Sequence, residues 1–187
     1  VGIKLVTSIW ADTIDTQNVD VDISLAPNNR SSGLADKLSD EFIVPVCGEN
    51  SAKRIKSLRD IEKINPIHIL GFDDHWSRYM SAFDLQHDVN SMRLIVDTSV
   101  AACELAASEL GCAVVIERFA LNAIETCRPI KIVGDRVPLR QSHYLVDNGS
   151  AKEINPAAEA FKDWLRSQFK CSTATLTTNV PPPKSGQ

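Results

Sequence analysis

Residues 92–116, MRLIVDTSVAACELAASELGCAVVI, decide the fold. Residues 92–96 read as a short strand ending in the apolar Leu94-Ile95-Val96. Residues 98–110 form an Ala-rich helical stretch stopped by Gly111, and Ala113-Val114-Val115-Ile116 is a wholly apolar run. Strand, helix and buried strand make a βαβ unit, whose strands are expected to be parallel with a right-handed crossover. Between the first strand and the helix lies Asp97-Thr98-Ser99. A helix that starts there points its first N–H groups outward at the carboxyl edge of the sheet. Open α/β folds bind ligands at that edge. The hydroxyls of Thr98 and Ser99 can donate to a carboxylate or amide of a small molecule. The same residue types are the expected helix caps, so the turn reads as a cap, alone or together with a ligand contact.

Strands and helices alternate on either side of this unit. Ile3-Lys4-Leu5-Val6-Thr7 reads as a strand, closed by Thr7-Ser8 ahead of a helix or turn, and 19–25 reads as another with Val21, Ile23 and Leu25 on one face. Residues 27–33 carry turn chemistry. An extended stretch runs from 34 to 47, where Pro45 suits an edge or crossover better than a central strand. A short helix begins at Ser57 with Leu58 and Ile61 inward, Pro66 ends it, and 67–70 form a strand. Trp76, Tyr79, Met80 and Phe83 have helical spacing. After a helix over 118–126 come strands at 130–133 and 142–146, joined through Pro138. Residues 156–169 are amphipathic, with Ala160, Phe161, Trp164, Leu165 and Phe169 inward, and 172–187 read as a loose tail of Thr, Pro, Ser and Gly. The class is α/β, an open sheet or two lobes with the chain crossing near Pro45 and Pro138.

Composition narrows the function. A net charge of −4 with scattered Lys and Arg argues against this chain gripping nucleic acid unaided. No apolar run approaches the roughly 20 residues of a membrane span, and no basic-then-apolar leader opens the chain. Val1 stands where an initiator Met is usual, the start expected of a fragment or processed chain. Five cysteines without metal-ligand spacing read as reduced, mostly buried thiols of a cytoplasmic protein, so neither metal nor cofactor is expected.

Hydrolase, zinc-protease, P-loop and dinucleotide motifs are absent. His68 in its apolar strand reads as a core residue, His75 as a cap or solvent-facing residue, and His87 as part of a polar loop. His143 stands beside Tyr144 on a strand near the second crossover. The carboxylate pairs Asp40-Glu41 and Asp73-Asp74 read as solvated loop or strand-end charges.

In order along the chain, Ile3-Lys4-Leu5-Val6-Thr7-Ser8, Val21-Asp22-Ile23-Ser24-Leu25, Lys37-Leu38-Ser39-Asp40-Glu41 and Val44-Pro45-Val46-Cys47 are followed by His75-Trp76-Ser77-Arg78-Tyr79. Then come Asp97-Thr98-Ser99 with its Ala-rich helix and Gly111, Tyr144-Leu145-Val146, and Ala160-Phe161-Lys162-Asp163-Trp164-Leu165. Together these pieces resemble the effector-binding domain of LysR-type transcriptional regulators, especially the subgroup of the glycine-cleavage activator and the β-lactamase regulator. The resemblance implies a two-lobed, periplasmic-binding-protein-like (type II) fold with a small-molecule effector in the cleft. Lobe I would comprise 1–46 and 143–171, and lobe II 47–142. It implies effector contacts from Thr7, Ser8, Thr98, Ser99 and His143. It further implies a non-enzymatic, cytoplasmic homodimer or homotetramer that reaches DNA only through a domain outside this chain. The effector expected from helix-terminus electrostatics is anionic or peptide-like.

Several departures from the family pattern stand out. The family carries a strand and helix, with part of the cleft, before the position of Val1. Its usual Arg after the second strand is Ala26 here, a common Pro is Ile116, and a common Gly near a helix end is Cys127. Two other readings use the same residues: a solute-binding protein of a transport system, and a small α/β enzyme working from Asp97, Ser99 and His143.

Overall fold

The computed structural model describes residues 2–8, 19–28, 35–86, 94–146 and 155–177, with side chains of the last segment described through Phe169. Residues 29–33 of the expected turn, His87, Met92, Arg93 and residues 178–187 of the expected tail lie outside the described residues. The chain divides into two units, Val1–Asp40 with Arg140–Gln187 (unit 1), and Glu41–Leu139 (unit 2).

In unit 2 the apolar runs become the middle of a sheet. Its strands are β3 (Phe42–Gly48), β4 (Pro66–Ile69), β5 (Leu94–Val96), β6 (Cys112–Ile116), β7 (Ile130–Ile132) and β8 (Val137–Pro138). The order is β5-β4-β6-β3-β7, with β8 also on β3. Both β5 and β6 run parallel to β4, so the expected βαβ unit is parallel, with β4 inserted between its two strands. Strands covered on both faces need no polar alternation, and all five residues of β6 are buried. One face carries α3 (Ser99–Ala107) and α4 (Glu117–Glu125), whose Ala102, Cys103, Ala106, Ala120 and Ala123 are small enough to sit close against Val44, Val46, Ala113 and Val115. α2 (Asp74–Ala82) buries Trp76, Tyr79 and Met80, and the Trp76 indole N–H donates to the Ile67 carbonyl at 2.9 Å. α1 (Glu49–Arg54) follows β3, and a 3-10 helix over Leu58–Lys63 buries Ile61. The expected helical pattern there takes the tighter form, started by Asp60, whose carboxylate accepts the Ser57 N–H at 2.9 Å.

Pro45 corrects one expectation. It lies inside β3, which has neighbours on both sides. β7 pairs with Val46, Cys47 and Gly48, while β8 pairs with Phe42 and Ile43. The ladder on that side is therefore interrupted beside Pro45, where a missing N–H goes unasked for. Phe42 to Val46 accordingly belong to the unit 2 sheet, and the chain passes between units at Asp40–Glu41 and Leu139–Arg140. Gly111 also works differently from a plain helix stop. α3 ends at Ala107, Glu109 takes the left-handed conformation (φ 62°), and a Cβ on Gly111 would collide with the Asn65 carbonyl oxygen.

Unit 1 holds β1 (Asp22–Pro27), β2 (Ala35–Lys37), β9 (Gln141–Val146) and α5 (Pro156–Thr177), with β9 antiparallel between β1 and β2. Three expectations fail here, at residues 2–8, on the inward face of α5 and over residues 172–177. Residues 2–8 form no ladder: their β-forming side chains supply propensity, but a strand exists only with a paired neighbour. On β1 it is Ala26 that is buried, while Ile23 is 43% exposed. On α5 the buried stripe runs through Ala158 and Leu165, with Phe161 and Phe169 half-buried, leaving Ala160 exposed and Trp164 52% exposed. The helix also continues through residues 172–177, because extending a helix costs less than starting one and Ser and Thr tax it only modestly.

Candidate functional site

The carboxyl ends of β4, β5 and β6 define one edge of the unit 2 sheet. β3 is antiparallel to β6, with Ile43 opposite Ile116, so Glu41 and Phe42 arrive at this same edge. The chain thus enters and leaves unit 2 beside the parallel strands' carboxyl ends, and the Leu139 N–H closes the pair of segments by donating to the Glu41 carbonyl at 2.8 Å.

At the end of β5, Thr98 is the N-cap of α3, its backbone extended at φ −136°, ψ 152° and its Oγ1 accepting the Ala101 N–H at 3.1 Å. Accepting that bond leaves the Thr98 O–H itself able to donate, so capping and ligand contact are compatible roles. Asp97 and Thr98 are exposed and Ser99 is buried at 7%. The Leu70 N–H donates to the Val96 carbonyl at 2.8 Å, which ties the turn after β4 to the last residue of β5.

At the end of β6 the edge is charged and largely enclosed. Glu41, expected as a solvated charge, is 4% exposed. The Nε of Arg118 lies 3.1 Å from both of its carboxylate oxygens, with the terminal nitrogen 2.9 Å from Oε1. Beside it Glu117 pairs with Arg136 at 3.6 Å, and the Arg136 guanidinium sits 4.2 Å above the Phe42 ring. Burial raises the Glu117 pKa above the ordinary glutamate range although Arg136 pulls the other way. Nothing in the linear sequence pairs these residues. The available signal was position, since each charged pair abuts the end of a buried apolar run.

His75 corrects another expectation: it is 1% exposed, stacked on Phe72 at 4.8 Å, with Nδ1 3.3 Å from the Val114 carbonyl. Burial lowers its pKa, which favours the neutral ring in the first turn of α2. The remaining candidate residues lie on unit 1. His143 occupies the middle of β9 opposite Leu25, half-buried, its ring 5.8 Å from Phe169. Thr7 and Ser8 are exposed and outside any ladder. Thr98 and Ser99 therefore come together on one helix terminus, and Thr7, Ser8 and His143 share the other unit.

A cavity of about 330 Å³ opens at the opposite, amino edge of the unit 2 sheet, lined by Ser51, Arg54, Asp60, Lys63 and Glu109 among others. Its charges are committed within the chain. Glu109 accepts the N–H groups of Asn50 and Ser51 at 2.8 and 2.9 Å, and Lys63 pairs with Asp60 at 3.1 Å. Among the described residues no three His, Cys, Asp or Glu converge as a metal site, and no helix is long and apolar enough to cross a membrane.

No protein-family model and no curated protein sequence matches the chain. Solved structures do. The effector domain of the transcriptional regulator AmpR of Pseudomonas aeruginosa superposes with a TM-score of 0.71 at 19% identity, covering 85% of this chain and 76% of that one. The AmpR effector-binding domain from Citrobacter freundii gives 0.69 at 21%, covering 81% and 75%. The full-length Vibrio cholerae virulence activator AphB, a member of the LTTR family, gives 0.62 at 13%, covering 90% of this chain and 58% of its own. The fold is that of LysR-type regulator effector domains, the type II periplasmic-binding-protein-like class.

Proposed function

We propose that this chain is the effector-sensing domain of a LysR-type transcription regulator, a non-enzymatic and cytoplasmic module that binds a small molecule and reaches DNA through a domain outside this chain. The observation that carries the reading is the shared fold with the AmpR effector domains at a TM-score of 0.71. The local chemistry agrees with it. The α3 terminus places N–H donors, the exposed Thr98 hydroxyl and the buried Ser99 hydroxyl at the sheet edge where such folds take ligands. Donors of that kind favour an anionic or peptide-like effector, contacted by Thr98 and Ser99 from unit 2 and by Thr7, Ser8 and His143 from unit 1. The working assembly is a homodimer or homotetramer.

A thermal-shift screen of metabolites tests the reading, because a ligand that binds only the folded state raises its apparent stability. Each hit is then remeasured with Thr98→Ser and Ser99→Ala. Thr98→Ser keeps cap and donor and should bind as before, whereas Ser99→Ala should weaken binding about tenfold, the loss of one hydrogen bond at the site. If neither Ser99→Ala nor Thr98→Val altered the affinity of any hit, the α3 contact would be wrong. A winged helix-turn-helix encoded upstream in the same gene distinguishes this reading from a solute-binding protein of the same fold.

A further inference from the structure

The two residues that open α4 each hold one of the segments by which the chain enters and leaves unit 2. Arg118 grips the carboxylate of Glu41, the first residue of the unit. Glu117 faces Arg136, three residues before the last one, Leu139, and Arg136 in turn covers Phe42. The Leu139-to-Glu41 backbone hydrogen bond joins the two segments directly. We infer that the first turn of α4 is a charge clasp that gathers both crossover segments onto unit 2, and that it loosens when Glu117 loses its hold on Arg136.

The two halves of the clasp differ in quality. Arg118 and Glu41 meet at 2.9 to 3.1 Å, the spacing of charge-assisted hydrogen bonds. Glu117 and Arg136 are 3.6 Å apart, beyond hydrogen-bond reach, and the Glu117 Oε2 is buried without a hydrogen-bond partner. A partly buried ion pair with imperfect geometry recovers little of the cost of leaving water. Three charged groups face Glu117: Arg136 from the segment between β7 and β8, Glu41 from the segment before β3, and Arg118 from α4 itself. Burial and Glu41 both favour a proton on Glu117, while the two arginines oppose it. When Arg136 swings away, α4 keeps Glu117 in place, so the opened form retains the burial but loses the arginine and binds a proton more tightly than the clasped form. Acid therefore favours opening, and Arg136 then keeps only its contact with Phe42. One arm of the clasp is therefore firm and the other conditional. The inference concerns unit 2 alone, so it stands or falls independently of the ligand reading.

Amide hydrogen exchange on the intact chain tests it, with the Leu139 N–H as reporter and the β6 amides as reference. Protection factors are corrected for the intrinsic pH dependence of exchange. Glu117→Gln at neutral pH should lower Leu139 protection about tenfold while β6 stays unchanged, the pattern of a local opening. Acidifying the unaltered chain should give the same loss, beginning at a pH above the ordinary glutamate range, and Glu117→Gln should be insensitive to that change. Arg136→Met, which keeps a stem over Phe42, should match Glu117→Gln, and the double variant should lose no more than either single one. Unchanged Leu139 protection in both single variants would overturn the clasp. So would a loss shared equally by the β6 amides, which marks general loosening.

Discussion

β6 and β1 are both sheet strands, yet all five residues of β6 are buried and only Ala26 of the six in β1 is. Unit 2 wraps its sheet in helices and a 3-10 turn; the described residues of unit 1 hold three strands and one helix. A sheet covered on both faces holds its edge residues in fixed relation, which would suit the ligand contact proposed at the α3 terminus. The contrast teaches where rigidity resides, and it can be attacked residue by residue.

The largest difference should come from paired truncations. Ile43 is fully buried in unit 2, and Ile43→Ala should cost about 3 kcal/mol through lost transfer energy and the cavity left behind. Ile23 is 43% exposed in unit 1, and Ile23→Ala should cost less than about 1 kcal/mol. Urea denaturation followed by residue-resolved amide exchange measures both. Equal costs would break the comparison.

Ion pairs give the next effect. Glu41 is enclosed and its Arg118 partner partly so, and Glu41→Gln should cost about 2 kcal/mol because the charge-assisted bonds between them are lost in a partly desolvated setting. In unit 1, Asp36 pairs with Arg166 at 2.7 Å but is 64% exposed, so Asp36→Asn should change stability by no more than about 0.5 kcal/mol. The same denaturation experiment at raised salt should erase the second effect and leave most of the first.

The contrast also explains what could be read from the sequence. Residues 94–116 were legible because a buried parallel strand is a continuous apolar run and Thr98 is an ordinary cap, both local signals. In unit 1 the local signals misled. Ile3, Leu5 and Val6 alternate as a strand would but find no ladder, and Trp164 keeps helical spacing with Phe161 yet stacks on it in solvent. Pro45, His75 and Glu41 depart from expectation for a different reason. Each breaks a rule for its residue type, and each is accommodated by a partner distant in sequence: a ladder break between β7 and β8, the Val114 carbonyl, and Arg118. The charged half of the edge was out of reach on the same ground, since Arg118 and Glu41 lie 77 residues apart.

The smallest effect lies in how unit 2's helices end. After α2, α3 and α4 the chain takes positive φ at Asp84 (51°), Glu109 (62°) and Cys127 (62°), positions where glycine is the unstrained choice. After α4 the Cys127 N–H bonds the Ile124 carbonyl at 3.0 Å and the Arg128 N–H bonds the Ala123 carbonyl at 2.9 Å, the paired bonds of a Schellman stop. Cys127 is exposed, so Cys127→Gly should stabilise unit 2 by about 0.5 to 1 kcal/mol through relief of backbone strain. Glu109→Gly should show no such gain. The backbone relief would be the same, but the Glu109 carboxylate also accepts two N–H groups at the start of α1, and the glycine variant abandons them. If both variants gained stability equally, the Glu109 bridge to α1 would carry no weight, and unit 2's rigidity would rest on its apolar core alone.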